Sequence, residues 1–349
     1  MKVSIIGTVG VPACYGGFES LVENLLPSEK FQLVYCSAKA YDKQVESYQG
    51  ATLKYWNIGA NGISSIPYDI LSIFHTVFKT KNDLLILGVS GALALPFVRL
   101  FTKRKVITNI DGLEWKRDKW NWAAKAFLKL SERLAVRFSD TVVADNAGIA
   151  EYVEAEYGVK STVIAYGGDH ALGCSKEELK EENNNSYALA LCRIEPENNC
   201  HVILDAFSKM PNKKIKFIGN WDNSEYGLNL KREYSNFNNI ELIDPIYNIE
   251  ELYKYRSSAS VYIHGHSAGG TNPSLVEMMF FNLPIVCFDC VYNRATTEEQ
   301  ADFFSSSKQL VELFEKKEIR ECGEALMEIA HRRYTWKVVK NQYEVLFDD

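Results

Sequence analysis

Between Val261 and Pro284 the chain reads VYIHGHSAGGTNPSLVEMMFFNLP, a spacing of residue types suited to gripping a nucleoside diphosphate. Val261–Ile263 is a short β-branched and aromatic run, the composition of a buried strand. Gly265, Gly269 and Gly270 follow, and glycine lets a backbone turn sharply and come close to a ligand. Asn272 suits a helix N-cap, Pro273 fits the first helical position, and Asn282–Leu283–Pro284 stops the helix. Because Pro273 has no N–H, the amides expected to face outward are those of Ser274 and Leu275, where the helix dipole favours an anion such as a pyrophosphate. Glu277, about one turn further, is placed to accept from ribose hydroxyls. An ordinary capped helix behind a strand would carry the same marks.

The start of the chain offers a second anion-friendly turn. Lys2–Ile6 reads as a strand and is followed by GTVGVPACYGGFE. Gly16 and Gly17 precede a helix whose apolar positions Phe18, Leu21, Val22, Leu25 and Leu26 keep the helical period. Gly7-x-x-Gly10 lacks the spacing of the dinucleotide fingerprint, which disfavours a dehydrogenase, and no Lys–Ser/Thr phosphate loop is present. Further along, Arg193 in RIEPENN could form a charge-assisted pair with a diphosphate, although a plain surface ion pair explains it too. Asp111 in NIDGLEW directly follows the strand Val106–Ile110, where functional residues gather in open α/β sheets. It is the candidate to orient an acceptor hydroxyl, with Glu114 as the alternative; a carboxylate capping the next helix is the competing explanation.

Metal chemistry finds little support. The eight cysteines contain a single C-x-x-C, Cys287 and Cys290, with no second pair nearby, and reduced buried thiols are expected. His264 and His266 lack an accompanying carboxylate cluster, so His266 is expected to line the nucleotide site instead. No Asp-x-Asp occurs.

In order along the chain, IIGTVGVPACYGGFESLVENL, NIDGLEWKRDKW (109–120), AYGGDH (165–170), RIEPENN (193–199), HSAGGTNPSLVE (266–277) and YNRATTEEQADFF (292–304) resemble GT-B glycosyltransferases of the GT4 type. In particular they resemble the rhamnosyltransferase branch once grouped as a domain of unknown function (DUF1972-like), found in capsule, O-antigen and wall-polysaccharide synthesis. The GT4 signature is Glu-x7-Glu; here Glu277 is the second Glu, and Gly269 stands at the first position, as in that branch. The resemblance implies a metal-independent, retaining transfer of L-rhamnose from dTDP-L-rhamnose to a polyprenyl-diphosphate-linked sugar. It implies donor contacts from Gly16, Gly17, Arg193, Asn198, His266, Gly270, Thr271, Asn272, Ser274, Leu275 and Glu277. Asn198 stands where relatives place a Lys. Asp111, Glu114 and Trp115 would meet the acceptor, and Asp111, Arg193 and Glu277 would carry the catalysis. A UDP- or GDP-hexose donor, a sugar-nucleotide epimerase and a non-catalytic nucleotide-sugar-binding subunit are the alternatives.

These residues require elements to hold them. At 349 residues, 46% of them hydrophobic, the chain is long enough for two α/β domains. Strand-like runs at 2–6, 32–36, 83–87, 105–109 and 141–144 alternate with helical stretches, and a second set lies at 188–192, 214–218, 240–242, 260–263 and 285–288. The expected fold is α/β, GT-B, with two Rossmann-like domains facing a central cleft. An acceptor domain would span 1–167 and a nucleotide-sugar domain 168–333. A C-terminal helix within 334–349 would cross back to the first, and 175–186 reads as an exposed loop. The net charge of −6 gives nucleic-acid binding no support. From Pro96 to Ser139, however, cations outnumber carboxylates and Trp115, Trp120, Trp122 and Phe127 are interleaved among them. That segment, 96–139, is read as contacting the inner membrane surface, with Lys125, Lys129 and Arg133 among the cations drawn to anionic lipid; a solvated helix face whose aromatics belong to the core is the competing explanation. With no signal pattern and no spanning run, the protein is expected in the cytoplasm, peripheral to that membrane.

Overall fold

A computed structural model describes residues 2–13, 16–113, 115, 121–173, 186–315 and 319–348. The chain forms two compact α/β units, Met1–Tyr166 with Trp336–Asp349, and Gly167–Thr335.

The first unit is built on eight strands: β1 Val3–Ile6, β2 Phe31–Ser37, β3 Ser47–Tyr48, β4 Ala51–Trp56, β5 Asp83–Leu87, β6 Val106–Asn109, β7 Thr141–Ala144 and β8 Thr162–Val163. Their order is β3-β4-β2-β1-β5-β6-β7-β8, parallel except for the β3–β4 hairpin. β1 and most of β5 are buried along their length, as strands covered on both faces must be, and their sequences are accordingly near-continuous apolar runs. The helices are α1 Gly17–Leu25, α2 Ser65–Lys79, α3 Leu95–Phe101, α4 Trp122–Phe138 and α5 Ala147–Tyr157. The strand order turns outward in opposite directions from β1 and β5. Right-handed crossovers therefore place α2, α3, α4 and α5 on one face of the sheet and α1 on the other.

The second unit holds β9 Ala188–Leu191, β10 Ile215–Ile218, β11 Ile240–Ile243, β12 Val261–His264, β13 Ile285–Phe288 and β14 Asp302–Phe304, all parallel in the order β11-β10-β9-β12-β13-β14. Its helices are α6 Cys200–Ser208, α7 Glu225–Tyr234, α8 Ile249–Ser257, α9 Pro273–Met279, α10 Val291–Thr297, α11 Ser307–Glu315 and α12 Gly323–Arg333. Phe207, Phe217 and Trp221 centre its core.

The final helix, α13 Trp336–Val345, returns to the first unit. Val339, Tyr343 and Phe347 join the core there with Leu21 and Phe31, and Asn109 Nδ2 donates to Tyr343 Oη at 2.7 Å. The chain's last turn thus touches the end of β6, beside Asp111.

Candidate functional site

In the second unit the strand order reverses between β9 and β12, and ligands of open α/β sheets sit at the carboxyl ends of such a pair. The loops leaving both strands meet there. Asn198, almost fully buried, donates from Nδ2 to the Arg193 carbonyl at 2.7 Å and pairs through Oδ1 with His266 Nδ1 at 2.7 Å. The two backbones approach so closely that a Cβ on Gly265 would lie 2.1 Å from the Asn198 carbonyl oxygen. Asn198, expected to touch the donor, spends its amide on holding the Arg193 loop against the His266 loop. The Arg193 side chain is 63% exposed and lies 3.7 Å from the Glu195 carboxylate, which leaves the guanidinium at the protein surface.

Asn272 caps α9 with Pro273 at the helix start, and this capping corrects the reading of the amides. Asn272 Oδ1 accepts from Ser274 N at 3.0 Å and from Ser274 Oγ at 2.7 Å, while Leu275 N donates to the Asn272 carbonyl at 3.1 Å. The amides of Ser274 and Leu275 are therefore taken up inside the turn, and Leu275 is fully buried. Gly269 adopts φ 74°, where a Glu at that signature position would be strained; Gly270 and Thr271 are buried behind it.

Glu277 sits in a charge cluster that the sequence did not reveal. Its Oε2 pairs with Arg256 of α8, a side chain only 5% exposed, and its Oε1 lies 3.3 Å from His170 Nε2. Burial pushes the Glu277 carboxyl up, but Arg256 and His170 outweigh it and hold the group below its usual range, so it is ionised. Gly168 makes the His170 contact possible: a Cβ there would lie 2.8 Å from Glu277 N. Nearby, His264 is buried with no partner for Nε2 among the described residues, and burial, reinforced by His266, drives its pKa well below the ordinary value.

The first unit has its own reversal point, between β1 and β5. Gly7, at φ 94°, ends β1 where a Cβ would lie 1.9 Å from the Leu87 carbonyl oxygen. Glu19 of α1, nearly fully buried, accepts from Thr8 Oγ1 at 2.9 Å, Val9 N at 2.7 Å and Gly16 N at 2.9 Å. The Gly16 amide, expected to face an anion, is thus engaged by Glu19, and the Gly17 backbone packs against the Tyr166 ring. Cys14 and Tyr15 lie outside the described residues.

Asp111 follows β6 at φ 59°, a left-handed conformation that a residue with a side chain holds only when its surroundings enforce it. Asn109 Oδ1 fixes it by accepting from Asp111 N at 2.9 Å. Among the described residues the next α-helix is α4, which begins eleven residues after Asp111 and is capped by Asn121, whose Oδ1 accepts from Ala124 N at 2.9 Å. Burial first, then the charges of Asp111 and Asp145, raise the pKa of Tyr166 well above its usual value, which places both carboxylates at the carboxyl edge of β6 and β7.

Trp115 is anchored rather than loose. Its Nε1 donates to Glu132 Oε2 at 3.1 Å, and the other Glu132 oxygen accepts from Tyr152 Oη at 2.7 Å and Tyr157 Oη at 2.5 Å. Lys129 lies 4.6 to 5.0 Å from the ring centres of Trp115, Tyr152 and Tyr157 and 3.0 Å from Glu156. Its charge is spent in this aromatic cage, so Lys129 is not a cation waiting for lipid. Glu114 lies outside the described residues.

Among known proteins, residues 1–169 match the family model described as "Domain of unknown function (DUF1972)" and residues 175–320 match "Glycosyl transferases group 1". No curated protein matches the chain. Three solved structures resemble it along nearly its whole length. Sucrose-phosphate synthase from Thermosynechococcus elongatus has a TM-score of 0.79 at 13% identity, covering 99% of this chain and 98% of that one. HepE from Anabaena, in complex with UDP, has a TM-score of 0.73 at 14% identity, covering 100% of both chains. The catalytic domain of starch synthase IV from Arabidopsis thaliana, bound to ADP and acarbose, has a TM-score of 0.69 at 11% identity, covering 99% and 98%. At these identities the likeness is one of fold, and that fold is the two-domain α/β GT-B architecture.

Proposed function

We propose that this chain, a GT4-type glycosyltransferase of the GT-B fold, moves L-rhamnose from dTDP-L-rhamnose to a polyprenyl-diphosphate-linked sugar with retention of configuration. The observation that carries the donor half is the gathering of Arg193, His266, the Gly269–Thr271 turn and the ionised Glu277 around the β9–β12 reversal. The transfer breaks the bond between the anomeric carbon and a diphosphate oxygen and makes one to the acceptor oxygen. The acceptor's hydroxyl proton passes to the departing phosphate. Negative charge grows on the diphosphate, so fixed donors aimed at it lower the barrier. Arg193 supplies the charge-assisted contact and the glycine turn lets the phosphates come close. With its carboxylate held ionised by Arg256, Glu277 accepts from the ribose hydroxyls. Arg193 bears the diphosphate's charge without a metal, and activity is expected to survive a chelator.

Nucleotides named with two of the similar structures, UDP with HepE and ADP with starch synthase IV, support a nucleotide-sugar donor. The rhamnosyl donor and the surface-polysaccharide setting rest on the ordered motifs from Ile5 to Phe304 and on the match at 1–169. In the first unit, Asp111 orients the acceptor hydroxyl and Trp115 offers a ring to the acceptor sugar. The lipid-linked acceptor puts the protein at the inner face of the membrane; among the described residues no helix is long and apolar enough to cross one.

Equilibrium binding tests the donor half. dTDP-L-rhamnose is expected to bind at least about tenfold more tightly than UDP-glucose or GDP-mannose, a gap of about 1.4 kcal/mol. A preference for either of the other two would move the reading to that nucleotide. Tight binding with no turnover on any acceptor would favour a non-catalytic subunit.

A further inference from the structure

We propose that the face formed by α2 and α3 is an anionic-lipid docking surface. It deepens the reading of a membrane-facing enzyme and moves the contact from α4 to α2 and to α3 at the start of the 96–139 segment, because the α4 cage has already consumed Lys129. On α2, Leu71, Phe74 and Phe78 stand at i, i+3 and i+7, one stripe of the helix, and the Phe74 and Phe78 rings stack at 6.1 Å. This stripe faces outward: Leu71 and Phe78 are exposed, Phe78 at 68%. On α3, Phe97, Leu100 and Phe101 are likewise exposed, at 54%, 74% and 68%. Exposed apolar side chains scattered singly need no explanation, but a cluster on adjoining helices does.

Arg104 brings the two helices together. Its guanidinium donates to the carbonyls of Thr76 at 2.9 Å, Val77 at 2.9 Å and Asn82 at 3.0 Å, closing the end of α2 onto the segment after α3. Phe78, Lys79 and Lys81 on one side and Phe101 and Lys103 on the other therefore meet around one side chain, and all three lysines are exposed. The charge is one-sided. From Ile63 to Lys105 the only carboxylates are Asp69 and Asp83. Asp69 is buried away from the surface, and burial raises its pKa well above the usual carboxylate value; Asp83 Oδ1 accepts from Lys105 N at 2.9 Å. Asp140, which lies beside α3, is paired with Arg99 at 2.7 Å. Apolar side chains that insert below the headgroups, ringed by lysines while the carboxylates named here are buried or paired, complement a bilayer carrying anionic lipid. Trp122 is exposed as well, but it lies sixteen residues, roughly 24 Å along α4, from Phe138, where Arg99 joins α3 to that helix, so it stands apart from the patch.

The test is co-sedimentation of the full chain with phosphatidylglycerol–phosphatidylcholine vesicles and with phosphatidylcholine vesicles alone, both free of donor and acceptor. Binding is expected only with the anionic vesicles and is expected to weaken as salt rises. Leu100→Ser/Phe101→Ser and Lys79→Glu/Lys103→Glu should each lower the partition coefficient by at least about tenfold, with thermal midpoint and nucleotide affinity unchanged. Lys125→Glu/Arg133→Glu, on α4, should lower it by no more than about twofold. Should the serine variant misfold, the charge-reversal pair, on exposed side chains, carries the test. Equal binding to neutral vesicles, or loss through the α4 variant alone, would overturn the assignment. So would a dimer in light scattering that the patch variants dissociate, which would give the face to a second copy of the chain. Transfer measured in detergent separates the two claims: its absence in the wild type would count against glycosyl transfer and leave the vesicle result standing.

Discussion

Glu277 works only because Arg256 and His170 hold it, and that dependence governs how it should be probed. Removing Glu277 alone leaves a buried guanidinium without its counter-ion, which costs about 3–5 kcal/mol, so Glu277→Ala would weaken the unit as well as the ligand contact. The paired variant Arg256→Met/Glu277→Gln removes both charges. It is expected to keep most of the stability in urea unfolding while losing nucleotide affinity; wild-type affinity in the folded pair would take Glu277 out of the site. His264 makes a separate prediction. Its folded pKa lies well below that of the unfolded chain, so below pH 6.5 the unfolded state binds the extra proton and stability falls with pH, by up to about 1.4 kcal/mol per unit. Unfolding measured from pH 7 to pH 5 should show this slope, and His264→Leu should flatten it; an unchanged slope would mean His264 is not the group. At this scale the sequence was half legible. Glu277 was visible from its spacing behind the Asn272–Pro273 cap, whereas Arg256 lies 21 residues upstream on another helix, where no local pattern joins it to Glu277. The same cap misled about the amides, because an Asn that caps a helix uses the donors it would otherwise leave to a ligand.

Among elements, the segment after β6 is the one whose setting matters most for the acceptor. Trp115 is pinned through Glu132 to α4 and α5, so this clamp fixes the chain that leaves Asp111. Replacing Glu132 by Leu strips the acceptor from Trp115, Tyr152 and Tyr157 and should lower the melting midpoint. The informative readout is a ratio: acceptor-dependent transfer should fall at least about tenfold more than acceptor-free donor hydrolysis. Equal losses would mean that the clamp holds the fold and nothing more. The strands that a run of apolar residues announces, such as DLLIL of β5, were readable. β4 was not, since its two-residue hairpin turn is Gln49–Gly50, both at positive φ, in place of the more familiar Asn–Gly. β14 hides for another reason: three residues at a sheet edge are too short to carry a period.

For the whole molecule, the alternation of strands and helices was enough to give two parallel-sheet units, because a parallel sheet needs a crossover between each pair of strands. The family matches and the similar structures agree with that architecture, while the identity of the sugar lies in side-chain contacts that fold does not fix. Product analysis reaches that level directly. The purified chain would be offered dTDP-L-rhamnose, UDP-glucose or GDP-mannose with polyprenyl-diphosphate-linked glucose or N-acetylglucosamine, with and without chelator, and the lipid products weighed by mass spectrometry. An acceptor that gains one deoxyhexose from the rhamnosyl donor alone, chelator or not, is the expected result. An acceptor enlarged only from UDP-glucose or GDP-mannose, or left unchanged by all three although the nucleotide binds, would contradict it.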